Sequence, residues 1–152
     1  MKSLIAISLI VLTACTPGGI APTSGGSSGP TGTTIDINLT LYPPMQTSIG
    51  VAGGYAPIQL RVAVGTTLRF INTDGFAHTA TVIPATTSFP TTSPFSISAE
   101  TQTGSLISQA WSTGSLAAGA TSQQVTVDVA GTYFYGCFYH YGASMRGQIV
   151  AQ

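Results

Sequence analysis

Apolar and polar residues alternate along much of this chain. Ile35, Ile37, Leu39 and Leu41 are separated by Asp36, Asn38 and Thr40, the two-residue period of a strand with one buried face. Tyr42-Pro43-Pro44 stops the run, because proline brings no amide hydrogen to a ladder. Residues 46–56, with Gly50, Gly53 and Gly54, read as a loop or a broken edge strand. Ile58, Leu60, Val62 and Val64 restore the alternation, Gly65-Thr66 turns the chain, and Leu68 and Phe70 share a face in the run 67–72. Strand character returns at 80–83, at Val125, Val127 and Val129, at 132–137 after the Ala130-Gly131 turn, and at 147–151. No stretch has the 3.6-residue period of an amphipathic helix. The expectation is an all-β fold, a sandwich of about seven or eight strands.

Residues 84–110 are the least legible part. Pro84, Pro90 and Pro94 break the segment, and Phe89, Phe95, Ile97, Leu106 and Ile107 are scattered anchors. A connection this long without structure of its own is uncommon in a compact domain, so short strands or a helical turn around residues 105–109 are expected. Trp111 is expected to pack over the core or to line a partner-facing surface.

The first 34 residues do not belong to this pattern. Met1-Lys2, the apolar run from Leu4 to Leu12 and the small residues after it have the layout of a secretory signal. The apolar run is far short of the roughly 20 residues a membrane-spanning helix needs. Leu12-Thr13-Ala14-Cys15 resembles the lipobox of bacterial lipoproteins, which implies cleavage after a signal at 1–14 and lipidation of Cys15. The alternative is an ordinary signal cut near Ala14 that leaves Cys15 free. Residues 16–33 are Gly, Ser, Thr and Pro with little apolar content, a composition that cannot offset its ordering entropy. Residues 15–34 therefore read as lipidated cysteine and flexible linker, and residues 35–152 as one domain, exported and tethered to a membrane through Cys15.

Charge narrows the partners. Without the leader the chain holds Arg61, Arg69 and Arg146 against Asp36, Asp74, Glu100 and Asp128. No basic footprint exists for nucleic acid, and any docking rests on apolar contact. So few charges also suit an acidic exterior, where titrating groups would strain a fold.

Cys15 and Cys137 are the only cysteines. If Cys15 carries lipid, Cys137 is a lone thiol in an exported protein, which is a liability unless it is buried or held by something. His140 and Met145 come after it in the order C-x-x-H-x-x-x-x-M, among the aromatics of residues 133–141. A thiolate, an imidazole and a thioether form a soft ligand set, and a Cys/His site with a weak axial Met holds copper in electron-transfer proteins. A second nitrogen donor is missing from this loop. His78, after the turn-rich Asn72-Thr73-Asp74-Gly75 and at the entry to a strand, is the one other histidine. It alone can complete a His-His-Cys set.

Phe70-x-Asn72-x-Asp74-x-x-x-His78-Thr79, together with Tyr133-x-Tyr135-x-Cys137-x-x-His140-x-x-x-x-Met145-x-Gly147, resembles the cupredoxin family, in particular its plastocyanin and pseudoazurin members. The resemblance covers about residues 35–152. It implies a Greek-key sandwich with a blue copper site at one end, His78 and His140 as imidazole ligands, Cys137 as the thiolate and Met145 as the axial thioether. Thr79 departs from the asparagine common after the first ligand, so a cross-loop hydrogen bond there is expected to differ. Phe138-Tyr139 likewise replaces the small residue and proline often found before the second histidine. The aromatics beside the ligands, Phe76, Phe138, Tyr139 and Tyr141, either exclude water from the site or pack the core.

The ligand set and the leader together imply one copper ion cycling between Cu(I) and Cu(II), electron exchange with redox proteins that dock transiently near His140, and a monomer. The alternatives are a copper carrier or storage lipoprotein, and a metal-free sandwich used for interaction. An enzyme is not expected, since four protein ligands leave no position for substrate.

Overall fold

The structure, a computed structural model, describes residues 32–152. The leader expected at 1–14, the lipidation expected at Cys15 and the linker up to residue 31 lie outside the described residues. Twelve strands occur in order: β1 (Gly32–Ile37), β2 (Met45–Thr47), β3 (Gly50–Ala52), β4 (Tyr55–Ala56), β5 (Gln59–Val62), β6 (Thr67–Asn72), β7 (Thr81–Ile83), β8 (Gln102–Thr103), β9 (Ser112–Thr113), β10 (Val125–Thr126), β11 (Gly131–Gly136) and β12 (Arg146–Ala151). Two 3-10 turns, Ile97–Glu100 and Tyr141–Ala143, are the only helical elements among the described residues. The number of strands exceeds the seven or eight expected because the stretch read as a loop or broken edge strand holds three short strands, β2, β3 and β4, and because β8 and β9 have two residues each, too short to show a period.

One sheet has the order β10-β6-β1-β4, a second the order β5-β12-β11-β7-β9-β8, and β2 and β3 form a separate hairpin. The alternation read from the sequence is what packs the two larger sheets together. Ile35 and Ile37 of β1, Leu68 and Phe70 of β6, and Val125 are wholly buried. They meet Leu60, Val82, Tyr135 and Ile149 of the other sheet, with Trp111 stacked on Phe70 at 5.6 Å. Burying one large apolar side chain contributes roughly 1.5–3 kcal/mol. β11 is covered on both sides: Tyr135 belongs to the main core, while Phe134 belongs to a second cluster with Ile83, Tyr141, Phe89 and Phe95. Its continuous aromatic run therefore has a partner on each face.

Several expectations change. β1 begins at Gly32, three residues ahead of the boundary expected at Ile35, and ends at Ile37. Leu39 and Leu41 do not extend it, because Leu39 N–H, Thr40 N–H and Thr40 Oγ1 turn to donate to Asp74; Leu41 is left 62% exposed. Val129 likewise leaves the alternation of Val125 and Val127 and is 49% exposed. The helical turn forms at Ile97–Glu100; residues 105–109 make only one turn, Gln109 N–H to Leu106 O at 3.3 Å, with Leu106 bridged to Thr126.

Register places five strand ends together. β1 and β6 run parallel with Ile37 opposite Asn72, and Gly136 at the end of β11 faces both Thr81 and Arg146 at the starts of β7 and β12. The loops at this pole carry both histidines and Cys137. Gly32 lies at the far end of β1, opposite Thr67.

Candidate metal centre

The first loop is shaped by Asn72. This wholly buried side chain donates from Nδ2 to Phe76 O and Leu116 O, both at 2.8 Å, and accepts from Asp74 N–H at 3.0 Å. A loop tied to its own start in this way must double back. His78 leaves it paired with Leu116 through backbone bonds of 3.1 and 2.8 Å, and its ring is wholly buried.

The second loop begins where β11 ends. Cys137 N–H donates to Met145 O (3.1 Å), Met145 N–H to His140 O (3.2 Å) and Arg146 N–H to Gly53 O (3.1 Å). Between them the Tyr141–Ala143 turn closes with Ala143 N–H on His140 O and Ser144 N–H on Tyr141 O, both 3.0 Å, and Ser144 takes the left-handed conformation at φ 57°. Cys137 and Met145 are wholly buried, and His140 is partly exposed.

The two loops converge on one point. Cys137 Sγ lies 3.8 Å from His78 Nδ1 and 3.6 Å from His140 Nδ1. One donor atom each from His78, Cys137 and His140 lies within 4.8 Å of the others. Met145 is tied by its backbone to both of its loop partners. Its side chain fills the space beside Gly54, where an added Cβ would sit 2.5 Å from Met145 Cγ and 3.2 Å from its Sδ. Gly54 has φ +76°, so glycine is required there twice over. Three such donors facing each other, two of them buried, fit one copper ion.

Electrostatics favours that use. Burial pushes the Cys137 thiol above its usual value, and hydrogen bonds to the sulfur pull the other way, Thr79 N–H donating at 3.4 Å. A bound dication would stabilise the thiolate outright. Burial lowers the proton affinity of both imidazoles; for His140 the neighbouring His78 adds to the effect, and for His78 Asp74 opposes it. Neutral imidazole is the form that ligates a metal. His78 Nε2 faces Asp74 Oδ2 at 3.1 Å, so its Nε2–H is held by the carboxylate and its Nδ1 is left free toward Cys137. Burial would raise Asp74, but hydrogen bonds from Gly75 N–H, His78 and Thr40 outweigh it and bring its pKa to about 2.

The surroundings sort the aromatics. Phe76, 45% exposed, lies 4.8 Å from the His78 ring and 5.4 Å from that of His140, capping both. Tyr139, 39% exposed, lies 6.1 Å from the His140 ring and bonds Ser115. Phe138 packs on Tyr139 at 5.2 Å. Tyr141 does not shield the donors; it turns away into the cluster with Phe95 behind the loop. The cross-loop bond expected to differ at Thr79 is made by the hydroxyl, which accepts from Phe138 N–H at 2.9 Å.

His78, Cys137, His140 and Met145, the four ligand candidates of the sequence, thus all lie in these two loops; Cys15 is outside the described residues. The roles of Asp74 and Gly54 are not evident from the sequence alone. Asp74 has a signal in its position four residues before His78 in a turn, whereas Gly54 has none, since its neighbour Met145 is distant along the chain.

A family model described as copper binding proteins, plastocyanin/azurin family, matches residues 47–152. No curated protein matches the chain by sequence. Among solved structures, a novel purple cupredoxin from Nitrosopumilus maritimus is 21% identical, covers 78% of this chain and 98% of its own, and superposes with a TM-score of 0.50. A reduced Cu(I) amicyanin variant at pH 4 is 19% identical, with 83% and 85% covered and a TM-score of 0.49. An oxidised amicyanin variant is 18% identical, with 78% and 80% covered and a TM-score of 0.47. At 21% identity the likeness to the purple cupredoxin speaks to the fold alone.

Proposed function

The chain belongs to the plastocyanin/azurin family of copper-binding proteins, and from that premise we propose that it carries single electrons between redox proteins outside the cytoplasm, with His78, Cys137, His140 and Met145 holding its copper. The observation that carries this reading is the meeting of a buried thiol and two imidazole nitrogens, from two separate loops, within 4.8 Å. Bound copper supplies a one-electron Cu(I)/Cu(II) couple.

The chain's own residues make that couple usable. Sulfur donors favour the cuprous state and imidazoles suit the cupric one, so a mixed set serves both. Backbone bonds fix Cys137, His140 and Met145 to one another, and Asp74 fixes the tautomer of His78. A set held this firmly changes little with oxidation state, which is the condition for rapid electron exchange. Phe76 excludes water from the imidazoles, while the exposed side of His140, beside Phe76 and Tyr139, is where a partner would dock. Members of the family are generally electron carriers, not enzymes, and this chain is proposed to be a carrier too.

The location is inferred from the leader and from Cys137 as a lone thiol. Among the described residues no helix is long and apolar enough to cross a membrane; the proposed attachment, lipid at Cys15, rests on the lipobox-like Leu12-Thr13-Ala14-Cys15. Gly32, where the described domain starts, lies at the end of β1 away from Ile37 and the donor loops. The protein is proposed to act as a monomer.

Voltammetry of the copper-loaded protein, run beside exchange of labelled copper against a chelator, tests the reading. An electron carrier cycles reversibly and keeps its metal over many turnovers. Ready exchange without a reversible wave would point to a copper carrier or store instead.

A further inference from the structure

Residues 84–96 contribute no donor to the metal centre, yet they are packed directly behind the donor loop. Tyr141, next to His140 in the chain, donates its hydroxyl to Pro90 O at 2.9 Å and meets Phe95 edge-on at 5.4 Å. Arg146, next to Met145, lays its guanidinium 4.1 Å from the Tyr141 ring centre and 5.7 Å from that of Phe89, and donates from Nη2 to Tyr141 O at 3.2 Å. Phe89 in turn sits edge-on to Phe134 at 5.0 Å. Gly136 gives the Tyr141 ring its seat, since a Cβ there would fall 2.9 Å from Cδ2. The two residues immediately after His140 and Met145 are thus gripped by one segment, on the side of the sheet away from the donors.

We propose that residues 84–96 brace the metal loop from behind, and that Tyr141 and Arg146 are positioning residues that hold the turn between His140 and Met145. The inference rests on the reading of His140 and Met145 as ligands. Four backbone bonds define that turn: Ala143 and Met145 N–H to His140 O, Ser144 N–H to Tyr141 O, and Cys137 N–H to Met145 O. Each spans the stretch that the brace grips. A cation between two aromatic faces and an edge-on aromatic pair are short-range, directional contacts. They fix the orientation of the turn as well as burying it.

The test uses the whole chain with Phe95→Ala or Tyr141→Phe, and Val125→Ala as a control that opens the core in the other sheet. In the copper-free protein, both brace variants are expected to speed hydrogen exchange about tenfold at the amides of Cys137, Ala143, Ser144 and Met145. The control should leave those amides protected while lowering the melting temperature. In the copper-loaded protein, the brace variants should stay blue and release Cu(I) to a chelator about tenfold faster, with the control unchanged. Unaltered protection in the brace variants, or equal loss of protection in the control, overturns the proposal. A parent protein that takes up no copper would sink the ligand assignment, and the exchange measurement would still decide the brace.

Discussion

Thr79 hydroxyl takes a hydrogen bond from Phe138 N–H across the two donor loops, and its own N–H donates to Cys137 Sγ. Thr79→Val keeps the second bond and removes the first, leaving a partly buried amide without an acceptor. A loss of about 1–3 kcal/mol is expected, and Thr79→Ser should recover most of it; equal melting temperatures for the Val and Ser variants would contradict this role. Gly54 gives a sharper case. Alanine there meets both a left-handed φ of +76° and a Cβ 2.5 Å from Met145 Cγ, so Gly54→Ala should cost more than about 1 kcal/mol and shift the cupric spectrum by moving Met145. Asp74 contributes a pH dependence at the acid end. Its pKa is lowered from 3.8 to about 2 on folding, so its stabilising effect is complete above about pH 4 and is lost as pH falls through about 2. The gap in melting temperature between the copper-free parent and Asp74→Asn should therefore narrow across that window; a gap undiminished at pH 2 would mean the ionised carboxylate is not what stabilises the loop. The donors are legible in the sequence because their residue types are scarce, with two histidines and one cysteine in residues 32–152. The role of Asp74 is not, since the five hydrogen bonds of its carboxylate join residues 39–40, 75 and 78 and only the folded chain brings them together.

At the scale of elements, the strands with several strong apolar positions are readable from the sequence and those without them are not. β6 and β11 carry strong apolar positions and stand where expected, to within a residue. β8 and β9 have two residues each; they pair with each other, Gln102 with Thr113 and Thr103 with Ser112, and β9 meets β7 only at Thr81 and Ser112, so no local period marks them. Leu39 and Leu41 continue the period of β1, yet a buried carboxylate outcompetes the ladder for the amides of this stretch. Tertiary hydrogen bonding decides that boundary against the pattern. The segment 84–96 is the strongest instance: its prolines and two phenylalanines carry no period because they cover an outer sheet face as a loop. Their partners, Tyr141 and Arg146, look from the sequence like neighbours of the ligand candidates and nothing more.

The molecule as a whole presents little charge. Of the seven charged side chains in residues 32–152, Asp74 is buried and Arg146 lies against aromatic rings. Long-range steering is correspondingly weak. Electron-transfer rates with a redox partner should change less than about threefold over a range of salt that shifts a charge-steered pair by about ten or more; a steep dependence would show that docking uses charges rather than the apolar edge at Phe76 and Tyr139. The function proposed for the molecule depends above all on Cys137 binding copper as a thiolate between two histidines. Visible absorption and EPR of the Cu(II)-loaded protein, beside Cys137→Ser and Met145→Leu, test it most directly. An intense charge-transfer band that is absent in Cys137→Ser and retained, shifted, in Met145→Leu is the predicted result. A pale tetragonal cupric signal that is the same with and without Cys137 would contradict it.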